Sequence, residues 1–321
     1  MKLLVIGPTR YQWGADGYGG VERLCGLLIG GLAARGHTVI ALAPEGSVMD
    51  PRAVWIHVPL DSVGEYGEVE AYRVLRGMVE KRDVDFVLDL SHKHILRWKE
   101  GWPGFSWIWH DPYVDVGVKL PKDGVMCLSE WQRGRLGSAA AVCDIHMVGE
   151  AYRYSAERPL TQAWRWLGRL DRDKGPVEAA RLAVEAWVPH IDFIGPTHDS
   201  AVHAELMHIM QSSHKICLWG EVSEVEKVES LLNAAGHLYT PQFPPGISEA
   251  HSMKTVEALC CGTPTVIQGR SSEPYGEVFG DMLDSFATAG NRDRAALSQQ
   301  ARAIWSVDAT IERIEEAIHG D

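Results

Sequence analysis

The chain has 321 residues, 45% of them hydrophobic, which suits two domains that each bury a core of their own. Its 43 acids against 31 bases give a formal net charge of -12, which weighs against unassisted binding to nucleic acid or to an anionic membrane. The six cysteines form no C-x-x-C pair and sit mostly in apolar stretches, as reduced thiols of a cytoplasmic protein do, and the apolar run in "MKLLVIGPTR" is too short for a signal peptide or a membrane span.

"KLLVIG" is a short apolar run closed by Gly7, the pattern of a buried parallel strand. A glycine-rich loop, "PTRYQWGADGYGG", leads to a helix in which Val21, Leu24, Cys25, Leu28 and Leu32 share one face. Gly36 can end that helix, and "HTVIALAP" is the next strand. Strand-like runs continue with "VDFVLDL", "FSWIWHD" and "GVMCLSE" to about residue 150. The pattern then restarts after a linker near "EAYRYSAERPL". "AWRWLGRL" is a strand, "DRDKGP" a turn with Pro176 at the first helical position, and "VEAARLAVEAW" an amphipathic helix. "IDFIGP", "KICLWGE", "HLYTP" and "TPTVIQG" are further strands between helical stretches. The sequence therefore predicts an α/β fold of two doubly wound, Rossmann-like sheets in tandem, with ligands at the carboxyl ends of the strands.

Several stretches could carry chemistry. "GYGG" at 17–20 opens a helix, where free backbone N–H groups favour an anion, although glycines alone also make an ordinary loop. G-x-G-x-x-G is absent and no acid ends the second strand, which disfavours a nicotinamide enzyme. Arg169 and Lys174 flank the "GRLDRDKG" turn, two cations beside a helix start, suited to a diphosphate or simply to a solvated turn. His110 ends the strand "FSWIWHD". "DVD" at 83–85 spells a metal motif but fits the start of a strand, and "HKH" at 92–94 has no third ligand in view. Trp98, Trp102, Trp107 and Trp109 crowd the same strands; core packing accounts for most such rings, and an exposed one could stack on a sugar or an aromatic acceptor.

Taken together, these stretches resemble glycosyltransferase family 4, retaining enzymes of the GT-B fold. "YGGVERL", "WIWHD" and "MCLSEWQR" look like the family's first glycine loop, His-Asp strand end and "SE" strand end. "LGRLDRDKG" is similar to G-R-L-x-x-x-K-G, and "SEAHSMKTVEALCCGTP" to E-x7-E followed by G-T-P. "YGEVFGD" is similar to a later segment, with Gly276 in place of proline. Two positions depart inside E-x7-E, where Ala250 and Ser252 replace glycines, and "VGEAYRY" replaces the usual segment after the first domain.

The resemblance implies two Rossmann-like domains facing across a cleft. Residues 1–152 with about 305–321 would form the acceptor side, the last helix crossing back near Trp305, and residues 160–304 the donor side. It implies transfer of a sugar from a nucleotide sugar to an acceptor hydroxyl, with a UDP-sugar favoured and a GDP-sugar left open. Arg169 and Lys174 would hold the diphosphate. Glu249 would lie by the donor sugar and Glu257 would take the ribose hydroxyls. Backbone around His251, Ser252 and Met253 would face phosphate or sugar, Gly19 and Gly20 would add N–H groups, and His110 would lie near the reacting centre. No cofactor is required; magnesium is not implied by a motif. The alternatives are a protein that binds a nucleotide sugar or glycan without turnover, and a UDP-sugar epimerase of the same fold.

Overall fold

The computed structural model describes residues 1–14, 19–47, 50–60, 66–80, 83–92, 104–108, 124–130, 132–133, 140–142, 144–186, 188–243, 251–270 and 273–319. The chain divides into two compact units, Met1–Met147 with Val307–Asp321, and Val148–Ser306.

The first unit is built on strands β1 Lys2–Ile6, β2 Thr38–Pro44, β3 Val54–Val58, β4 Phe86–Asp89, β5 Gly104–Ile108, β6 Val125–Cys127 and β7 Ala140–Val142. They form one parallel sheet ordered β3-β2-β1-β4-β5-β6-β7. Both faces are covered, which is why β1 and β2 read as unbroken apolar runs. Leu3 and Val5 pack with helix α1 (Gly20–Ala34) and with the terminal helix Val307–His319. Leu4 and Ile6 point the other way, to Ala71 and Leu75 of helix α2 (Tyr66–Glu80). Gly31 lets the terminal helix approach α1, since a Cβ there would meet Val307 and Ile311 at 2.7 Å. Asp83–Asp85 does precede β4, and the Asp85 carboxylate accepts from the Lys2 amide at 2.7 Å. Strands β3 and β7 and helix α2 go beyond the expected elements.

The second unit holds β8 Ala163–Leu167, β9 His190–Ile194, β10 Ile216–Gly220, β11 Gly236–Tyr239 and β12 Thr265–Ile267, parallel and ordered β10-β9-β8-β11-β12. Its helices are α3 Pro176–Glu185, α4 Ser200–Ser212, α5 Glu224–Leu232, α6 Met253–Cys260, α7 Glu273–Phe279 and α8 Arg294–Trp305. Trp164, Trp166, Ile191 and Phe193 pack on Val177 and Ala180 of α3 and Val202 and Leu206 of α4. Leu167, Ile194 and Tyr239 face Val228 of α5, Val256 and Leu259 of α6 and Leu297 of α8. Strand order reverses between β8 and β11, and the carboxyl ends of those two strands are the expected ligand position in such a sheet.

The division falls at Met147, ahead of the linker expected near residues 150–160. Val148 and Tyr152 are buried in the second unit's core, Glu150 pairs with Arg302, and Val148 bridges Ser306. The segment "VGEAYRY" is thus part of the second unit rather than a spacer. Among the described residues no helix is long and apolar enough to cross a membrane. Among the described residues no cysteine forms a disulfide; Cys25, Cys127, Cys260 and Cys261 are buried and Cys217 partly so.

Candidate functional site

The turn after β8 is held by backbone contacts at both ends. Gly168, at φ +154°, donates its N–H to Ile194 O at 2.9 Å, and Leu170 N donates to Pro196 O at 2.9 Å. On the other side Gln242 N donates to Asp173 O at 2.8 Å, and the Thr240 hydroxyl donates to Gly175 O. Gly175 is left-handed, at φ 69° and ψ 37°, and Pro176 follows as the first residue of α3. These contacts tie the turn to the carboxyl ends of β9 and β11.

Arg169 and Lys174 both stand on this turn, yet neither is bare. The Arg169 guanidinium pairs with Asp171 and lies 4.0 Å from Asp173. Lys174 is buried, with its ammonium 4.8 Å over the Phe243 ring and 4.0 Å from Asp173. Arg172 points elsewhere, to Glu205 at 2.7 Å. Arg169 and Lys174 thus already have carboxylates of the same turn beside them.

Helix α6 supplies the second part. Ser252 is its N-cap, and the hydroxyl accepts from Thr255 N at 3.4 Å, which accounts for serine where the resemblance has glycine. The His251 ring is buried edge-on against Phe279 at 5.3 Å and Trp305 at 5.7 Å, so its imidazole packs in the core. Met253 opens the helix and Glu257 lies one turn further on. Glu257 is 3% exposed and so almost wholly buried. Oε1 of Glu257 is 3.1 Å from the ammonium of Lys227 on α5. Lys227 also holds Glu224 at 2.8 Å and lies 5.4 Å over the Tyr152 ring, while the Tyr152 hydroxyl donates to Glu224.

In the first unit, Gly19 at φ 153° precedes α1 and Gly20 is its first residue. A Cβ on Gly19 would come within 2.8 Å of the Glu22 carboxylate. Glu22 is buried, and burial pushes its carboxyl up to about 7 against a smaller pull from Arg10. His110, Glu249, Ala250, Trp98, Trp102 and Trp109 lie outside the described residues.

Three further groups were not singled out from sequence. Lys254, in the first turn of α6, places its ammonium 2.5 Å from where a Cβ on Gly168 would sit and 5.6 Å over the Tyr239 ring, so this helix start adjoins the 168–175 turn. Lys227 and Glu22 are the others. A lysine in a helix usually means a solvated face, and only the tertiary contacts distinguish these. A separate groove of about 570 Å³ runs along the sheet face made by Arg165, Asp192 and Trp219, and Arg169, Lys174 and Glu257 take no part in it. Among the described residues no three His, Cys, Asp or Glu side chains are grouped to hold a metal ion.

No protein-family model matches the sequence, and no curated protein does either. Solved structures do match over the whole chain. AviGT4, a glycosyltransferase involved in avilamycin A biosynthesis, is 24% identical with a TM-score of 0.74, covering 99% of this chain and 97% of its own. Sucrose-phosphate synthase from Thermosynechococcus elongatus is 14% identical with a TM-score of 0.70, covering 99% and 98%. Alr3699/HepE from Anabaena, solved in complex with UDP, is 12% identical with a TM-score of 0.64, covering 100% of both chains. Two parallel, doubly wound units and these likenesses establish that the chain has the GT-B glycosyltransferase fold.

Proposed function

We propose that the protein is a retaining glycosyltransferase that moves a sugar from a nucleoside diphosphate sugar, a UDP-sugar first, to an acceptor hydroxyl. One observation carries the reading. At the strand-order reversal, the start of α6 adjoins the turn that bears Arg169 and Lys174, and Glu257 lies one turn deeper. Cations and a carboxylate are thus set at the carboxyl end of one sheet, as a diphosphate and a ribose diol require. UDP in the HepE structure and the glycosyl transfer of the similar proteins support the same reading.

In this scheme the anomeric C–O bond to the β-phosphate breaks as a C–O bond to the acceptor forms on the same face of the sugar, and the acceptor hydroxyl passes its proton to the departing diphosphate. Negative charge grows on the departing diphosphate. Arg169 and Lys174 stabilise that charge, which makes them transition-state groups rather than anchors alone. Glu257 accepts from the ribose hydroxyls. Glu249 recognises the sugar, with backbone of residues 251–253 and of Gly19 and Gly20 completing the donor contacts. His110 serves the reacting sugar.

The test is nucleotide release from a panel of UDP-, GDP- and ADP-sugars, with and without acceptors, for the wild type and Arg169→Ala. Release from a UDP-sugar, cut by about a hundredfold or more in the variant, is the expected result. Binding of every donor without release makes the protein a binder, and isomerised donor with no acceptor present makes it an epimerase.

A further inference from the structure

We infer that Lys227 is a positioning residue for the nucleotide's ribose, acting through Glu257. The inference rests on the proposed donor site and adds a residue to it. Glu257 is almost wholly buried, and a buried carboxylate keeps its charge and direction only if a partner compensates it. Lys227 is such a partner, reaching from α5 to Oε1 at 3.1 Å. Lys227 is itself fixed. Glu224 holds it at 2.8 Å, the Tyr152 ring lies under its ammonium, and the Tyr152 hydroxyl ties Glu224 in place.

An ionised carboxylate offers about four acceptor positions, and one lysine hydrogen bond uses one of them. A vicinal diol needs two. Lys227 and a ribose can therefore bind Glu257 together, and the lysine prepares the carboxylate instead of competing for it. Without Lys227, Glu257 is left as a buried acid without that ion pair, able to turn, and so a poorer acceptor for the diol.

The experiment measures binding of UDP and of 2′,3′-dideoxy-UDP, which lacks the diol, by calorimetry. The proteins are wild type, Lys227→Met, Lys227→Arg, Glu257→Gln and the Lys227→Met/Glu257→Gln double variant. Lys227→Met and Glu257→Gln should each weaken UDP about tenfold or more, the double variant no further than the worse single, and Lys227→Arg should restore most of the loss. All five should bind the dideoxy analogue alike. In turnover, Lys227→Met should raise KM for the donor and leave kcat nearly unchanged.

Wild-type affinity for UDP in Lys227→Met overturns the inference. So does an equal loss for UDP and its dideoxy analogue, which marks a purely structural role, and so do losses that add in the double variant. If Lys227→Met fails to fold, the double variant, which removes both charges, and Lys227→Arg carry the comparison: the double variant should match Glu257→Gln, and a Lys227→Arg protein as weak as Glu257→Gln overturns the inference. If Glu257→Gln itself binds UDP like the wild type, the ribose assignment in the proposed site fails, and the role of Lys227 fails with it.

Discussion

The carbonyl oxygen of Thr240 lies 1.8 Å from the point a Cβ on Gly175 would occupy. The strand end of β11 and the turn after β8 are thus packed backbone to backbone. Gly175 is also left-handed, so Gly175→Ala adds strain to a clash with a backbone atom that cannot swing aside. The expected cost is about 2–3 kcal/mol of stability, with donor affinity lost as the turn shifts Arg169 and Lys174. Gly77→Ala is the control: it sits in α2 with nothing within 4 Å, and it should be neutral or stabilising by up to about 1 kcal/mol. Denaturant unfolding of both variants decides, and equal midpoints would refute the argument.

Ser252 gives a finer prediction. Its hydroxyl caps α6, so Ser252→Ala should lower stability by about 1 kcal/mol and Ser252→Gly by only a few tenths. If the glycine variant also binds donor more tightly, the cap is held at the expense of closer approach to the α6 backbone. Equal loss in both variants would show that the cap carries no weight.

His237 sets a pH dependence. It is fully buried in β11, neither ring nitrogen has a hydrogen-bond partner among the described residues, and burial together with nearby Lys254 pushes its pKa down to about 3. In the unfolded chain it titrates near 6.5. Between those values the unfolded chain binds a proton that the folded one refuses, so stability falls as pH drops below about 6.5. At pH 5 the loss from this group is about 2 kcal/mol. His237→Leu should remove that share of the decline. Unfolding curves at pH 8 and pH 5 test it, and the same decline in both proteins would refute it.

The Arg165–Asp192 pair lies inside the second unit, and Asp192 also binds His190 at 2.6 Å. Burial already lowers the pKa of Arg165, so removing its carboxylate strands a cation. Asp192→Ala should cost about 3–5 kcal/mol. Arg165→Met/Asp192→Leu, which removes both charges, should cost much less. Thermal unfolding of the two proteins checks the contrast, and equal losses would show that packing rather than charge is at stake.

Much of this architecture was legible because buried parallel strands leave a plain signal. "KLLVIG", "HTVIALAP" and "IDFIGP" each show an apolar run closed by glycine or proline, and each is a strand covered on both faces. Strand β3 escaped because it is an edge: Val54 and His57 are exposed and the run has no uniform apolar character. β7 is three residues long, too short for any periodicity. At the candidate site, glycine positions and cations stand out through spacing along the chain. Their counter-charges do not. Asp171 and Asp173 look like ordinary turn acids, and Lys227 meets Glu257 across 30 positions through the packing of α5 on α6.

The terminal helix belongs to the unit that begins the chain, which gives synthesis an inverted order. Residues 148–306 can complete their own core while the first unit still lacks the segment that covers α1 around Gly31. During translation α1 therefore presents an uncovered stripe around Gly31, the one that Val307 and Ile311 later cover, which a chaperone can hold. A chain stopped after Ser306 should keep a folded second unit and expose that stripe, seen as chaperone retention and dye binding that a supplied peptide of residues 307–321 reverses.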